Sequence, residues 1–268
     1  IPLRLVGSEM CIRDRYQYCI VGLTIRHINR SIYMRQKVLI TGANKGIGFE
    51  TAKQLGDKGW TILLGARNEE RGRAAVKTLE NKGITAEWIQ IDLNNIDTIH
   101  AAADYIATQH SDLKALINNA GISGNMNASP LDVELDELRE LAEVNFFGNF
   151  EMIKTFTPIL AKNHGRILNL TIPLNPNSFF HPFSYIATKS SLNSMIKLFG
   201  RHFKKNKIPV EIFGVMPGGI TTDLNNHQKG FLMRSVNEGA QSIVKVLTDK
   251  HNHNGKILLR LMPFKIFK

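Results

Sequence analysis

At 268 residues, with 43% hydrophobic and 21% charged composition, the chain has the make-up of a soluble globular protein and the length for one large α/β domain with a buried core. Its formal charge of +11 raises the question of an anionic partner, but Lys and Arg are spread along the chain rather than gathered into one block, which argues against nucleic acid. Both cysteines, Cys11 and Cys19, lie in the first 33 residues, so the rest can form neither a disulfide nor a thiolate metal site, and a reducing cytoplasm fits.

Those first 33 residues differ in character from the remainder of the chain. "GSEMCIRDR" (7–15) resembles the translation of a transposon adapter used in preparing DNA for sequencing, and "YQYCIVGLTIRHINRSIY" shows no clear helical or strand period. The expectation is an artefact plus read-through, with Met34 as the start, which N-terminal mass spectrometry of the protein from its native source would check. The apolar run "CIVGLTI" is far shorter than the roughly 20 residues that span a bilayer, and no small-residue cleavage site comes after it.

From residue 37 short apolar runs alternate with amphipathic stretches. Strands are predicted at 37–41, 60–66, 84–91, 113–119, 165–171, 210–216 and 256–261, and helices at 46–57, 69–82, 95–109, 134–162 with a break, 184–205 and 236–248. Near-continuous apolar strands joined by helical crossovers predict a doubly wound, seven-stranded parallel sheet with helices on both faces, a Rossmann-type single domain over 34–268. The irregular pieces, 172–183 and 218–234, come after carboxyl ends of strands, where ligands bind in such sheets.

Directly after the first predicted strand stands "TGANKGIG", Thr41 to Gly48. Glycines at 42, 46 and 48 allow a sharp turn and bring a helix N-terminus close to a pyrophosphate. Further on, Tyr185 and Lys189 lie four apart and share one helix face. A free phenol, with a pKa of about 10, is a poor acid–base at neutral pH, and a nearby ammonium would stabilise its phenolate.

The spacing of "TGANKGIG" resembles the T-G-x-x-x-G-x-G of the short-chain dehydrogenase/reductase family, and "NNAG" (118–121), Y-x-x-x-K at 185–189 and "PGGITTDL" (217–224) resemble its other motifs, over about residues 36–260. The resemblance implies a nicotinamide cofactor held by Gly42, Asn44, Lys45, Gly46, Ile47 and Gly48, by Asp92 and Leu93 near the adenine, and by Asn119, Ala120 and Gly121. Pro217, Gly218, Ile220 and Thr222 would lie beside the nicotinamide, and Tyr185 and Lys189 beside the ribose. It also implies Tyr185 as proton donor, Lys189 as the group that tunes it, and Asn145 in a proton relay. Nineteen residues past Gly48 stands Arg67 where an acid would favour NAD; with Lys45 it points to NADP(H).

One position departs from the pattern. The family's serine, at the end of the fifth strand and thirteen residues before the tyrosine, falls on Ile172. That hydroxyl would stabilise charge on the substrate oxygen, and losing one such donor typically costs about 10²- to 10³-fold in rate. Thr171 and Ser178 are the candidates to replace it. Two readings result: an NADPH-dependent reductase of a hydrophobic aldehyde or ketone, or a catalytically impaired NADP-binding regulatory protein. Phe179, Phe180, His181, Pro182 and Phe183, with Phe231, Leu232 and Met233, suggest an apolar pocket wall. Pairing of two copies through helices near 150–162 and 184–205 is implied by the resemblance, with a monomer as the alternative. "HNH" (251–253) reads as a surface turn without acidic partners, and the ending "LLRLMPFKIFK" as a last strand with a solvated tail.

Overall fold

In the computed structural model, residues 36–173, 182–220 and 233–260 are described. They alternate strand and helix along the chain. The strands are β1 (Lys37–Thr41), β2 (Thr61–Ala66), β3 (Ala86–Gln90), β4 (Leu113–Asn118), β5 (Arg166–Leu170), β6 (Glu211–Met216), β7 (Gly219–Ile220), β8 (Met233–Arg234) and β9 (Ile257–Leu259). Interleaved with them are α1 (Gly46–Gly56), α2 (Glu69–Glu80), α3 (Ile96–Gln109), α4 (Leu135–Ala142), α5 (Gly148–Lys162), α6 (Phe183–Lys205) and α7 (Val236–Thr248). Seven strands form one sheet in the order β3-β2-β1-β4-β5-β6-β9, every pair parallel, and β7 and β8 form a separate two-residue ladder.

Period-two alternation divides each strand between two cores. Val38 and Ile40, Ile62 and Leu64, and Ala115 and Ile117 face the core shared with α1, α2 and α7. Leu39, Leu63 and Leu116 face the other, shared with α3, α5 and α6. Because both faces are covered, the strands carry apolar residues at odd and even positions alike, which is why they read as continuous runs. Helix starts reflect side-chain chemistry: Asn68 and Asn95 accept first-turn N–H groups of α2 and α3, and Ser235 with Glu238 forms a capping box at α7.

Order reverses between β1 and β4, which leaves a crevice at their carboxyl ends. The break expected within 134–162 is a π-helical turn, Glu143–Phe147, between α4 and α5. At the opposite ends of α5 and α6 the chain leaves through left-handed residues, His164 (φ 49°) and Lys207 (φ 54°). Side chains strain that conformation and glycine does not, so His164→Gly and Lys207→Gly are each expected to raise stability by about 0.5–1 kcal/mol in urea unfolding. A loss of stability would show that these side chains contribute more than their backbone costs.

Candidate active site

The crevice is bordered by a hydrogen-bonded knot between β1 and β4. The Thr41 hydroxyl accepts the N–H groups of Asn119 and Ala120, both at 3.0 Å, and the Asn119 amide donates to the carbonyls of Thr41 (2.8 Å) and Gly42 (3.2 Å). Gly42 and Gly46 take φ values of 64° and 59°, and a Cβ on Gly48 would lie 2.5 Å from the Asn119 amide nitrogen and 2.7 Å from the Gly42 carbonyl oxygen. Only glycine fits there. The N-cap of α1, Lys45, makes no side-chain capping bond and the first turn carries no acid, so no capping side chain competes with an anion for this helix end. Asn44 and Ile47 are half-buried, and Lys45 and Gly46 are exposed. Arg67 is exposed just past the end of β2. Together the backbone cradle and the helix start suit the pyrophosphate of a dinucleotide.

After β3, Asp92 accepts the Asn94 N–H at 3.0 Å in a turn, and Leu93 is buried. A Cβ on Gly121 would stand 2.9 Å from Asn145 Oδ1 and 3.4 Å from Lys189 Nζ, so β4's end, the π turn and α6 converge at this glycine. The fully buried Asn145 donates to the Ile122 carbonyl (2.8 Å) and the Thr188 hydroxyl (3.2 Å) and accepts the Ile122 N–H (3.0 Å). A π turn places one extra residue in the helix and turns this amide inward, a distortion frequent at functional sites.

Lys189 is buried and its Nζ donates to the Leu170 carbonyl at 3.1 Å, at the end of β5. Tyr185 lies one turn earlier, half-buried. Burial pushes the Lys189 ammonium down to about 8 and the Tyr185 phenol up to about 12. A phenol lowered by the ammonium is the expectation from spacing, but here desolvation of the phenol dominates.

Ile172 is buried two residues past the end of β5. The neighbouring Thr171 turns its hydroxyl to Asn193, 2.6 Å away on α6, and the Asn193 amide donates to the Ile172 carbonyl at 3.3 Å. Alternation along the strand thus directs Thr171 toward Asn193, two helical turns beyond Tyr185. Ser178, Thr222 and the wall residues Phe179, Phe180, His181, Phe231 and Leu232 lie outside the described residues. Of the remaining wall, Pro182 is buried, Met233 half-buried and Phe183 38% exposed. Buried Ser184 donates to Glu137 on α4 at 3.1 Å. Pro217 and Gly218 turn the chain after β6, and Ile220 is buried in β7.

The sequence reading missed Asn193, although Tyr185, Lys189 and Asn193 repeat every four residues on one face. It also missed Arg234, for which no pattern gave a signal. The reading of "HNH" as an unpartnered surface turn is corrected: His253 is buried, edge-on to Phe213, and 2.9 Å from Asp249, because the chain turns back on itself after α7. Among the described residues no cluster of three or more His, Cys, Asp or Glu could hold a metal, and no helix is long and apolar enough to cross a membrane.

A family model described as short chain dehydrogenase matches residues 36–230. The short-chain dehydrogenase anuI of Penicillium roqueforti (strain FM164) is 35% identical over 232 residues, which is 79% of this chain and 88% of that protein. NADPH carbonyl reductase 3 of Rattus norvegicus is 38% identical over 135 residues, 50% of this chain and 47% of the relative, so that match spans about half of each. Among solved structures, an alcohol dehydrogenase from the archaeon Thermococcus sibiricus, complexed with 5-hydroxy-NADP, aligns with a TM-score of 0.73 over 86% of this chain and 100% of that one; at 21% identity the likeness is one of fold.

Proposed function

Because the chain belongs to the short-chain dehydrogenase/reductase family, a family of oxidoreductases, we propose that it reduces a hydrophobic aldehyde or ketone to an alcohol with NADPH. The observation that carries this reading is the convergence at Gly121 of buried Asn145 and Lys189, one helical turn from Tyr185. NADPH, when bound, supplies the hydride. Gly42, Asn44, Lys45, Gly46, Ile47 and Gly48 would hold its pyrophosphate, Lys45 and Arg67 its 2′-phosphate, and Asp92, Leu93, Asn119, Ala120 and Gly121 its adenosine side. Pro217, Gly218, Ile220 and Thr222 would line the nicotinamide.

Tyr185 gives its phenolic proton to the carbonyl oxygen as the carbon receives hydride, so the π bond of C=O is replaced by new C–H and O–H bonds and a C–O single bond remains. Lys189 stabilises the phenolate left behind, and Asn145 holds the far end of the proton path. A reducing compartment such as the cytoplasm belongs to this reading, since residues 34–268 contain no cysteine. So does pairing of two copies along α5 and α6, supported by Phe150 and Leu198, exposed at 39% and 62%.

Ile172 favours a second reading, an NADP-binding regulatory protein with impaired chemistry. The adjacent Thr171 does not supply the missing hydroxyl, because it is bonded to Asn193. NADPH consumption by the full chain against a panel of hydrophobic aldehydes and ketones separates the two. Ile172→Ser restores a donor and is expected to raise turnover about 10- to 100-fold, within the worth of one oxyanion donor. An unchanged or lower rate would show that another group already fills the role. No turnover by either protein, with NADPH binding intact in a fluorescence titration, would leave the regulatory reading standing.

A further inference from the structure

Arg234 sits where three parts of the chain meet. Its Nη1 donates to the Pro217 carbonyl at 2.5 Å and to the Arg260 carbonyl at 2.6 Å, past β9, while Nη2 donates to the Glu238 carbonyl (2.9 Å) and the Ser242 hydroxyl (3.0 Å) on α7. Four acceptors in different directions need the planar fork of a guanidinium. The start of α7 does not depend on these bonds, since Ser235 and Glu238 already cap it. What Arg234 adds is a grip on the turn after β6.

Two further features tie that turn to Arg234. Gly218 takes φ 99°, and a Cβ there would lie 2.9 Å from the Arg234 Cδ, so the arginine stem occupies the space that a side chain at 218 would need. The β7–β8 ladder sets Gly219 against Met233 and Ile220 against Arg234. In a trans peptide the carbonyl and the following N–H point in opposite directions, so holding the Pro217 carbonyl fixes the direction of the Gly218 N–H.

We infer that Arg234 is a positioning residue for residues 217–220, setting the backbone against which the nicotinamide end of the cofactor is registered. The inference rests on the cofactor reading above. It predicts a division that a general stabilising role would not produce: the adenosine half of the cofactor is held by the β1–β4 knot, apart from Arg234, whereas the nicotinamide half depends on it.

The test uses the full chain with Arg234→Met and Arg234→Lys, titrated with 2′,5′-ADP and with NADPH. Both variants are expected to keep their affinity for 2′,5′-ADP within about twofold, and Arg234→Met to bind NADPH about tenfold more weakly and to lose about a hundredfold in kcat through misplacement of the reacting groups. Lysine keeps the charge without the fork and is expected to recover only part of the loss. Amide hydrogen exchange at Gly218, Gly219 and Ile220 is expected to speed up in both. Unchanged exchange in a folded variant, or equal losses for the two ligands, would overturn the assignment. Should the unmodified chain bind neither ligand, the cofactor reading fails, and exchange at 218–220 still decides whether Arg234 holds the turn.

Discussion

Replacing Tyr185 by Phe is expected to lower kcat for carbonyl reduction by about 10²- to 10⁴-fold, with a much smaller effect on NADPH affinity, because the substitution removes the hydroxyl that donates the proton and keeps the ring. The pH profile of the unmodified chain should identify the partner. With the phenol pushed up to about 12 by burial, Tyr185 stays protonated throughout the working range. Lys189, pushed down to about 8, is the group that changes charge, and above that pH it can no longer stabilise the phenolate. The rate of reduction should therefore fall about tenfold per pH unit above a midpoint near 8. A flat profile to pH 10 would remove Lys189 from the mechanism.

The same burial has a linked effect on stability. A lysine whose native pKa lies below its unfolded value binds its proton more tightly in the unfolded chain, so folding carries a cost below pH 8 that disappears as pH rises toward the unfolded value of 10.5. From the difference the cost at pH 7 is roughly 3 kcal/mol, partly offset by the bond to the Leu170 carbonyl. Lys189→Met is expected to melt at a higher temperature at pH 7 while losing turnover, with the stability gain shrinking by pH 10. A constant gain across that range would mean that packing, rather than charge, sets it.

The second large effect lies at the other end of the sheet. Arg166, at the start of β5, donates to the carbonyls of Val246 (3.2 Å), Leu247 (2.7 Å), Asp249 (2.9 Å) and His251 (2.7 Å). It also pairs with Glu211 at 2.9 Å and stacks 5.0 Å over the Phe213 ring. It thus ties the end of α7 and the turn beyond it to β5 and β6. Arg166→Met would strand the part-buried Glu211 carboxylate and several carbonyls, and at about 1–3 kcal/mol for a group left without its partner it should cost about 2–3 kcal/mol. The check is the urea midpoint of unfolding, with Arg166→Lys expected to recover under half of the loss because an ammonium has no planar fork. A loss below about 1 kcal/mol, an amount typical of an exposed ion pair, would show that solvent satisfies these groups.

Legibility differed between fold and site. Local pattern located all seven sheet strands, because burial on both faces makes each an apolar run, and the crossover requirement made them parallel. The glycine loop was legible for a similar reason: a tight approach such as that of Gly48 to Asn119 demands a missing side chain, which spacing records. Tyr185 and Lys189 were legible as a helical pair. Strand ends shifted by at most two residues, as at β9, where neighbouring strands rather than composition decide the pairing.

What the amino-acid order determined by itself, then, was the doubly wound sheet, the phosphate-type loop and the identity of the side chains available for chemistry. Only the tertiary structure decided how those side chains are held: that Asn145 turns inward on a π turn, that Thr171 spends its hydroxyl on Asn193, and that His253 packs edge-on against Phe213. It alone brought Arg234 to Pro217 and Arg260. The reason is physical. Periodicity and turn chemistry are local properties that a stretch of ten residues can carry, whereas a hydrogen bond between residues tens of positions apart depends on the whole sheet to bring its two ends together.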